Sequence, residues 1–404
     1  MKSFDIDTLA VHAGREDFRT IGVHAPPLDL STTYPIPDLA EGTAGIDAML
    51  RGERPARNNI YARLANPTVD RFEKAFAQLE RADDAVGFGS GMAAVTAALL
   101  AATMDGARHV IAVRPLYGGT DHLLASGLLG LEVTFTAADA VREHIRADTG
   151  LVVVETPANP TLALVDIADV VRQAGKVPVM VDSTFATPVL QQPLIQGAAM
   201  SLHSATKFIG GHGDVMAGVI ACSDAWAAKL RLVRILTGAV LHPMAAYLLH
   251  RGLPTLPIRV RAAEAAAMVL AEQLADHAAV SRVFYPGLPG GDPHRLLGRQ
   301  MHGPGTMIAF EMAGGFAAAA VIMREVRLIT PAVSLGSVDT LIEHPAGLTH
   351  RVVDQQGLAE GGVTPGMLRL SVGLESAEAL WEDLSAAIAV AVESVPMEGE
   401  LAMR

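Results

Sequence analysis

Cysteine is almost absent from this sequence of 404 residues, in which Cys222 is the only one. A single cysteine excludes disulfide bonds within the chain and argues against a cysteine-based metal site, so we predict no bound metal. Cys222 ends the apolar run Ala217–Cys222. Such surroundings favour a small packing residue over a catalytic nucleophile.

Basic residues are scarce relative to acidic ones: 31 Lys and Arg stand against 43 Asp and Glu, which gives a net charge of -12. This balance leaves no basic stripe to neutralise phosphates, which argues against a nucleic-acid partner. The sequence also lacks an uninterrupted apolar segment of about 18 residues, the length that a membrane span needs. Its first residues form no apolar signal core and are acidic at once. We therefore expect a cytoplasmic protein without a membrane anchor.

The length suits two or three domains, and the 50% hydrophobic content suits a large core. Residues 1–63 show weak periodicity and several prolines, so we predict an extended N-terminal arm. In residues 64–258, short apolar runs alternate with helical stretches, which predicts a large α/β domain. Residues 259–404 begin with an alanine-rich helix, continue with strand candidates and end with another helix, which predicts a smaller α+β domain.

Four apolar runs in the predicted large domain lack the alternation of a half-exposed strand. Runs that are apolar on both faces are typical of a mainly parallel sheet covered by helices. Ligands bind beyond the C-terminal ends of the strands in such a sheet, so polar residues at those ends are candidate site residues. The runs are His109–Val113, Leu151–Glu155, Val177–Asp182 and Val215–Ala221.

A glycine-rich turn, Gly87-Phe-Gly-Ser-Gly-Met92, precedes a predicted helix over 93–102. A turn of this kind presents free N–H groups and the positive end of the helix dipole, which suits a phosphate near Ser90, Gly91 and Met92. The rival interpretation is a nicotinamide-dependent dehydrogenase, but the Gly-x-Gly-x-x-Gly fingerprint fails at Met92. A nucleophile elbow, Gly-x-Ser-x-Gly, does not fit around Ser90 either.

Lys207 follows the small, apolar run Ala198–Ala205 and has Ser204 and Thr206 nearby. A lysine in such a site can form a Schiff base with an aldehyde, and the two hydroxyl groups can bind phosphate oxygens. Asp182 ends a predicted strand earlier in the chain. Its carboxylate could pair with the pyridine nitrogen of a cofactor. The alternative is that Asp182 caps the structure that follows it.

Other polar residues could complete a site. Tyr117 could stack on a pyridine ring and move protons, or could simply pack. Asn159, in a turn stiffened by two prolines, could bond a ring oxygen or a substrate carboxylate, or satisfy turn backbone. Arg369 stands in an apolar strand, where it needs a partner, either a substrate carboxylate or a structural salt bridge. Tyr61 and Arg63 would point to the same side of an extended chain and could clamp a phosphate, although Arg63 could also be an ordinary surface residue.

Together these residues resemble a known family. The motifs Tyr-x-Arg-x-x-Asn-Pro-Thr, Ser-Gly-Met, Tyr-Gly-Gly-Thr, Glu-Thr-Pro-x-Asn-Pro, Val-Asp-Ser-Thr, Ser-x-Thr-Lys and Arg-Leu-Ser-Val-Gly-Leu-Glu are similar to those of the Cys/Met-metabolism enzymes that depend on pyridoxal 5′-phosphate (PLP). The resemblance runs from about residue 7 to 390. It implies an α/β type I PLP-dependent transferase fold with a mainly parallel seven-stranded sheet. It also implies a homotetramer built from two catalytic dimers.

The resemblance implies a role for each candidate residue. Lys207 would bond PLP and move protons, Asp182 would pair with the pyridinium, and Tyr117 would stack on the ring and help the leaving group depart. Tyr61 and Arg63 would reach the phosphate of the neighbouring subunit. The phosphate in the chain's own site would be held by Ser90, Gly91, Met92, Ser204 and Thr206. Cofactor and substrate would be oriented by Asn159, Ser334 and Arg369.

The C-terminal half resembles methionine γ-lyases most, in Thr237–Leu241, Tyr285–Leu288, Ala332–Gly336 and Glu343–Ala346. Val333 stands where cystathionine enzymes usually have a glutamate that meets the distal amino group of cystathionine. A valine offers that charge nothing and favours an apolar distal group in the substrate-binding pocket. We therefore expect a carbon–sulfur lyase that converts methionine or homocysteine to 2-oxobutanoate, ammonia and a thiol by γ-elimination.

Two departures keep other reactions open. Methionine γ-lyases typically have Cys at the position of Gly119, and Lys-Asp at the positions of Arg234 and Ile235. Cystathionine γ-lyase, cystathionine γ-synthase and O-acetylhomoserine sulfhydrylase therefore remain alternatives. A PLP-containing binding or regulatory module without turnover is a further alternative, which the set of substrate-orienting residues argues against.

Overall fold

The computed structural model describes residues 4–54 and 59–395, and its larger sheet confirms the predicted α/β architecture. The strands of this sheet are β1 (Asp84–Phe88), β2 (His109–Val113), β3 (Glu132–Thr136), β4 (Thr149–Glu155), β5 (Val179–Asp182), β6 (Met200–His203) and β7 (Gly218–Cys222). Their spatial order is β1-β7-β6-β5-β4-β2-β3. Pairing is parallel from β3 through β6, whereas β7 runs antiparallel to both β6 and β1. Cys222, at the end of β7, is buried, and burial raises the pKa of its thiol.

The N-terminal segment is partly helical, so the prediction of an extended arm misses its secondary structure. It contains α1 (Ile6–His12), α2 (Phe18–Ile21) and α3 (Leu39–Leu50). Asp5 accepts a hydrogen bond from the Thr8 N–H at 2.8 Å, and Asp38 accepts one from the Glu41 N–H at 3.0 Å. Side-chain caps of this kind stabilise the first turn of a helix. Whether the segment reaches a neighbouring subunit stays a prediction.

Helices cover both faces of the large sheet, which explains its uninterrupted apolar runs. On one face, Val152 packs in a cluster with Ile167, and on the other, Met180 packs in a cluster with Ala98 and Leu230. Both faces of the strands are therefore withdrawn from water. The helices of this region are α4 (Pro67–Glu80), α5 (Gly91–Thr103), α6 (Gly118–Ala125), α7 (Ile167–Ala174), α8 (Thr187–Leu190), α9 (Asp224–Thr237) and α10 (Pro243–Gly252).

Strand β7 begins later than the apolar run predicts, because the residue before it bonds elsewhere. The backbone N–H of Ala217 donates to the Thr206 hydroxyl at 3.0 Å, and that hydroxyl donates to the Ala217 carbonyl oxygen at 3.1 Å. Gly218 then passes close to the glycine-rich turn, since a Cβ there would lie 2.3 Å from the carbonyl oxygen of Ser90. Only glycine fits at this crossing.

The C-terminal region has a second, five-stranded sheet in the order β10-β11-β12-β9-β8, where these strands are Thr330–Pro331, Leu341–Glu343, Met367–Ser371, Met307–Met312 and Val280–Phe284. Its helices are α11 (Leu256–Ala275), α12 (Gly315–Glu325), α13 (Gln355–Glu360) and α14 (Ala377–Ser394). Short 3-10 helices lie at Val141–His144, Pro193–Gln196, Leu253–Thr255 and Pro345–Gly347. The domain boundary at residue 258 stays a prediction and falls inside α11. None of the described helices combines the length and apolar character that a membrane span requires.

Candidate active site

A cavity of about 590 Å³ lies at the C-terminal ends of the parallel strands. Its walls come both from the large sheet and from the C-terminal region. A cavity of this size, with a few convergent polar groups, is typical of a small-molecule site. The predicted site residues that line it are Ser90, Gly91, Met92, Tyr117, Asn159, Asp182, Ser204, Thr206, Lys207, Val333, Ser334 and Arg369.

Tyr61 and Arg63 are the two predicted site residues that do not line this cavity. Arg63 donates from Nη1 to the carbonyl oxygen of Ile235 at 2.8 Å, and its guanidinium carbon lies 5.8 Å from the centre of the Tyr61 ring. Tyr61 is exposed. Their predicted contact with the phosphate of a neighbouring subunit is not tested by a single chain and stays a prediction.

Lys207 projects its amine into the cavity from the turn between β6 and β7. Its Nζ donates a hydrogen bond to the hydroxyl oxygen of Ser334 at 2.6 Å. Burial, assisted by the positive charge of Arg369, lowers the pKa of Lys207 to about 8, while Glu343 opposes that shift. A neutral amine is therefore accessible near physiological pH, which is the state that attacks an aldehyde.

Ser334 occupies a left-handed backbone conformation, with φ at 89°. Such a conformation costs a non-glycine residue on the order of 1–3 kcal/mol, so it persists only where several contacts hold it. Here Lys207 bonds its side chain, and Nη2 of Arg369 donates to its carbonyl oxygen at 3.0 Å. The strained residue thus links the two cationic groups of the cavity.

Arg369 is buried in the middle of β12 and has partners on several sides. Its Nη1 donates to Oδ1 of Asn159 at 2.8 Å, and its Nη2 forms a salt bridge with Oε1 of Glu343 at 2.8 Å. Its Nε has no hydrogen-bond partner among the described residues. The guanidinium therefore has the structural salt bridge that the sequence left open. The sequence alone does not predict the pairing of Glu343 with Arg369, because it depends on the register between β11 and β12.

Asp182 ends β5, and burial raises the pKa of its carboxyl group against the effect of its hydrogen bonds. Its Oδ1 accepts bonds from the backbone N–H of Thr184 at 3.0 Å and from the Thr184 hydroxyl at 2.5 Å. Asp182 therefore forms the local capping bonds that the sequence left open as an alternative to a cofactor contact. Both bonds go to Oδ1, so the carboxylate keeps capacity to accept a further donor.

Glu155 is a site residue to which the sequence analysis gave no role. It ends β4, where Oε2 accepts a bond from the Tyr117 N–H at 2.6 Å and Oε1 accepts one from the Asn159 N–H at 2.9 Å. Burial, and then the charge of Asp182, raise the pKa of Glu155. The sequence signal for Glu155 is a single acidic residue at the end of an apolar strand. In the structure its carboxylate joins the loops that follow β2 and β4.

Tyr117 lies beside the cavity with part of its ring exposed. Burial, and then the negative charges of Glu343 and Glu155, raise the pKa of its hydroxyl. Tyr117 therefore stays protonated at neutral pH and can donate a proton. A Cβ at Gly119 would lie 2.6 Å from the ring atom Cε1, so Gly119 leaves room for this ring position.

The glycine-rich turn and the Lys207 turn together form a cradle at the start of α5. The Ser90 hydroxyl oxygen accepts the Ala93 N–H at 3.1 Å and so caps the helix. A Cβ at Gly91 would lie 3.0 Å from Oγ of Ser204, which shows how closely the two turns approach. The Ser204 hydroxyl oxygen and the N–H groups that open α5 suit a phosphate. With Lys207, Asp182 and Arg369 nearby, the residues present fit PLP.

Comparison with known proteins decides the family. The profile of the Cys/Met metabolism PLP-dependent enzyme family matches residues 7–389. The chain belongs to this family. The prediction of that family, and with it of PLP as the cofactor, is confirmed.

Relatives support a narrower likeness. The chain is 55% identical over 390 residues to an L-methionine γ-lyase of Brevibacterium sandarakinum, covering 96% of this chain and 98% of that protein. It is 54% identical over 384 residues to an L-methionine γ-lyase of Streptomyces avermitilis, covering 95% and 89%. A cystathionine γ-synthase structure from Xanthomonas oryzae is 34% identical with a TM-score of 0.89, covering 97% and 100%. The predicted fold and the likeness to methionine γ-lyases are confirmed.

The lowered pKa of Lys207 predicts how capture of PLP by the apoenzyme depends on pH. The reactive species is the neutral amine, so the initial rate should rise through pH 8 and level off above about pH 9. Stopped-flow absorbance measures that rate. Nα-acetyllysine is the control, because its amine has an ordinary pKa of about 10.4 and its rate should keep rising up to about pH 11. An apoenzyme rate that rises over the same pH range as the control would contradict the assignment of Lys207, with its lowered pKa, as the amine that captures PLP.

Proposed function

We propose that this chain is a PLP-dependent carbon–sulfur lyase that converts methionine or homocysteine to 2-oxobutanoate, ammonia and a thiol. Its identity to proteins named L-methionine γ-lyase supports the reaction class. The observation that carries the substrate preference is the place of Val333. This side chain lines the cavity next to Ser334, on the side of the cavity formed by the C-terminal region.

Two carboxylates line the described cavity, and in this proposal the free capacity of Asp182 is reserved for the pyridine nitrogen of the cofactor. Glu155 accepts two backbone N–H groups, and Asp182 accepts two bonds from Thr184. A substrate with a charged distal amino group, such as cystathionine, would bury that charge without an acidic partner here. A thioether methyl group makes no such demand on Val333.

The α-carboxylate of the substrate would bind Arg369. Asn159 and Glu343 hold its guanidinium in a fixed orientation, and its Nε remains without a partner among the described residues. A planar guanidinium with free donors suits a carboxylate. Arg369 would thereby place the α-carbon of the substrate near Lys207.

Proton transfers would be divided between Lys207 and Tyr117. When bound, PLP supplies an electron sink beside the α-carbon of the substrate. Lys207, with its pKa near 8, can take the α proton and return a proton later at neutral pH. Tyr117, protonated at that pH, can give a proton to the departing thiol. Water completes the reaction: methionine and one water give 2-oxobutanoate, ammonia and methanethiol, whereas homocysteine gives hydrogen sulfide in place of methanethiol.

A substrate panel tests this proposal. Purified enzyme is supplied with methionine, homocysteine, cystathionine, cysteine, or O-acetylhomoserine plus a thiol, and the 2-oxo acid and sulfur products are measured. We expect a higher kcat/KM for methionine or homocysteine than for cystathionine. Val333→Glu should shift the ratio toward cystathionine by about tenfold, because a charge-assisted hydrogen bond is partly offset by desolvation.

The matched control is Val333→Gln, which has the same size as the glutamate variant but no charge and should leave the ratio near that of the natural enzyme. A natural preference for cystathionine would replace the proposal with cystathionine γ-lyase activity. Turnover only with O-acetylhomoserine plus a thiol would identify a sulfhydrylase. Absence of turnover with every substrate in a PLP-loaded protein would support a binding module.

We also propose a homotetramer built from two catalytic dimers, with active sites shared between subunits, in the cytoplasm. The support for sharing is that Tyr61 and Arg63 lie outside the chain's own cavity. Exposed apolar side chains on the same segment, including Leu30 and Leu39, provide surface that a second copy could cover. The net charge of -12 is compatible with a cytoplasmic enzyme that binds neither nucleic acid nor membrane.

Sharing predicts complementation between two inactive variants. Arg63→Ala subunits keep Lys207, and Lys207→Ala subunits keep Arg63, so a hybrid dimer has one complete site. Random mixing should restore about a quarter of wild-type activity, since half of the dimers are hybrids and each has one complete site of two. Each variant refolded alone is the control. Failure to recover activity, with subunit exchange proven by mass spectrometry, would show that the site is not shared.

A further inference from the structure

An ion pair lies behind the glycine-rich turn, on the open side of strand β1. Because β1 is the last strand of its sheet, one of its edges has no neighbouring strand. Glu73 of α4 and Arg234 of α9 occupy this edge beside Gly87. Oε1 of Glu73 accepts the Gly87 N–H at 2.7 Å, and Nη1 of Arg234 donates to the Gly87 carbonyl oxygen at 2.9 Å. The two side chains also bond each other.

This ion pair takes the place of a strand neighbour. Glu73 is fully buried and Arg234 is 4% exposed. Backbone N–H and C=O groups that are buried need partners, and Gly87 is buried as well. Loss of Glu73 would leave the Gly87 N–H without its acceptor and Arg234 without this carboxylate, which is costly in the interior. Loss of Arg234 would leave the Gly87 carbonyl oxygen without this donor, while Glu73 would keep its salt bridge to Arg54 at 2.7 Å.

Gly87 lies directly before the turn that opens α5. Phe88 pairs with Gly218 of β7 and forms an isolated bridge with Val240, and the Gly89 N–H donates to the carbonyl oxygen of Ala239 at 3.3 Å. A segment with glycine at every second position has little stiffness of its own. The position of Ser90 and of the first N–H groups of α5 therefore depends on what surrounds the turn. On one side this is β7, which passes close to Ser90 at Gly218, and on the other it is the ion pair between α4 and α9.

We propose that Glu73 and Arg234 are positioning residues for the cofactor's phosphate: by fixing Gly87, they place the N–H groups that open α5. The inference rests on the proposed role of residues 90–92 in phosphate binding. The proposal makes a specific prediction. Loss of the ion pair should weaken the binding of ligands that carry the phosphate and should leave the binding of ligands that lack it almost unchanged.

The test compares PLP with pyridoxal, which lacks the phosphate, in titrations of the apoenzyme followed by absorbance. The double variant Glu73→Gln/Arg234→Met removes both charges of the pair, and Arg54, which also bonds Glu73, keeps its salt bridge to Asp84. Its affinity for PLP should fall about tenfold or more, while its affinity for pyridoxal changes less than about twofold. An unchanged ratio of the two affinities in a folded variant would overturn the proposal.

The matched control is Asp84→Asn/Arg231→Met. It removes another buried ion pair of the same network, joined at 2.6 Å, from the start of β1. Neither residue bonds Gly87. The control should lower the melting temperature as Glu73→Gln/Arg234→Met does. It should keep the wild-type ratio of PLP affinity to pyridoxal affinity. An equal loss of the ratio in the control would mean that general destabilisation, not positioning, causes the effect.

Glu73→Gln alone covers the case in which the double variant does not fold. It keeps an acceptor for the Gly87 N–H but loses the charge, and should lower the ratio about threefold, since charge-assisted bonds are roughly twice as strong. The loss must persist in an Arg63→Ala background, because Arg63 bonds the carbonyl oxygen next to Arg234 in sequence. An unchanged ratio in Glu73→Gln contradicts the proposal. So does a ratio that falls no further when Glu73→Gln is added to Arg63→Ala.

Ser204→Ala separates this proposal from the phosphate site itself. If Ser204→Ala lowers the ratio and the Glu73 and Arg234 variants do not, the positioning role is wrong and the phosphate site stands. If none of these variants lowers the ratio of PLP affinity to pyridoxal affinity, or if wild-type enzyme binds PLP no more tightly than pyridoxal, the assignment of residues 90–92 and Ser204 to phosphate binding is wrong. Loss of the ratio in all of them, with the matched control unchanged, supports both.

Discussion

Arg369 is buried in the middle of a strand, and the carboxylate of Glu343 lies 2.8 Å from its guanidinium. A buried guanidinium left unpaired would cost several kcal/mol, on the order of 3–5 when a partner is removed. The salt bridge with Glu343 holds the positive guanidinium of Arg369 in a fixed position at the cavity, and two other features of the site depend on that guanidinium. The charge of Arg369 helps to lower the pKa of Lys207, and its hydrogen bond holds the strained Ser334 that in turn accepts the Lys207 amine.

Buried glutamates organise the remainder of the site in the same way. Glu155 holds the backbone of Tyr117 and Asn159, so it brings the loops after two neighbouring strands to one place. Glu73 holds the backbone before the glycine-rich turn. In each case a buried carboxylate fixes the backbone of a loop at the cavity, which explains how loops on a rigid sheet can present groups at constant positions.

The sequence was informative wherever a signal is local. The run His109–Val113 is a strand with those bounds, and the predicted site residues between Ser90 and Lys207 line one cavity because strand ends of a parallel sheet converge. It was uninformative where a partner is distant along the chain. Glu73 and Arg234 are 161 positions apart, and a single sequence does not show that they meet. The sequence did not reveal helix α3, although Asp38 is a local capping signal, because the prolines just before it favour an irregular chain.

The central claim is that Lys207 forms the bond to PLP, and one measurement tests it directly. Holoenzyme is treated with borohydride, which makes the bond between the cofactor's aldehyde carbon and the lysine nitrogen permanent, and is then digested and sequenced by mass spectrometry. Yellow enzyme that loses its colour and yields the adduct on the peptide containing Lys207 is the expected result. An adduct on another lysine, or a colourless protein that stays free of cofactor when PLP is added, would contradict the account.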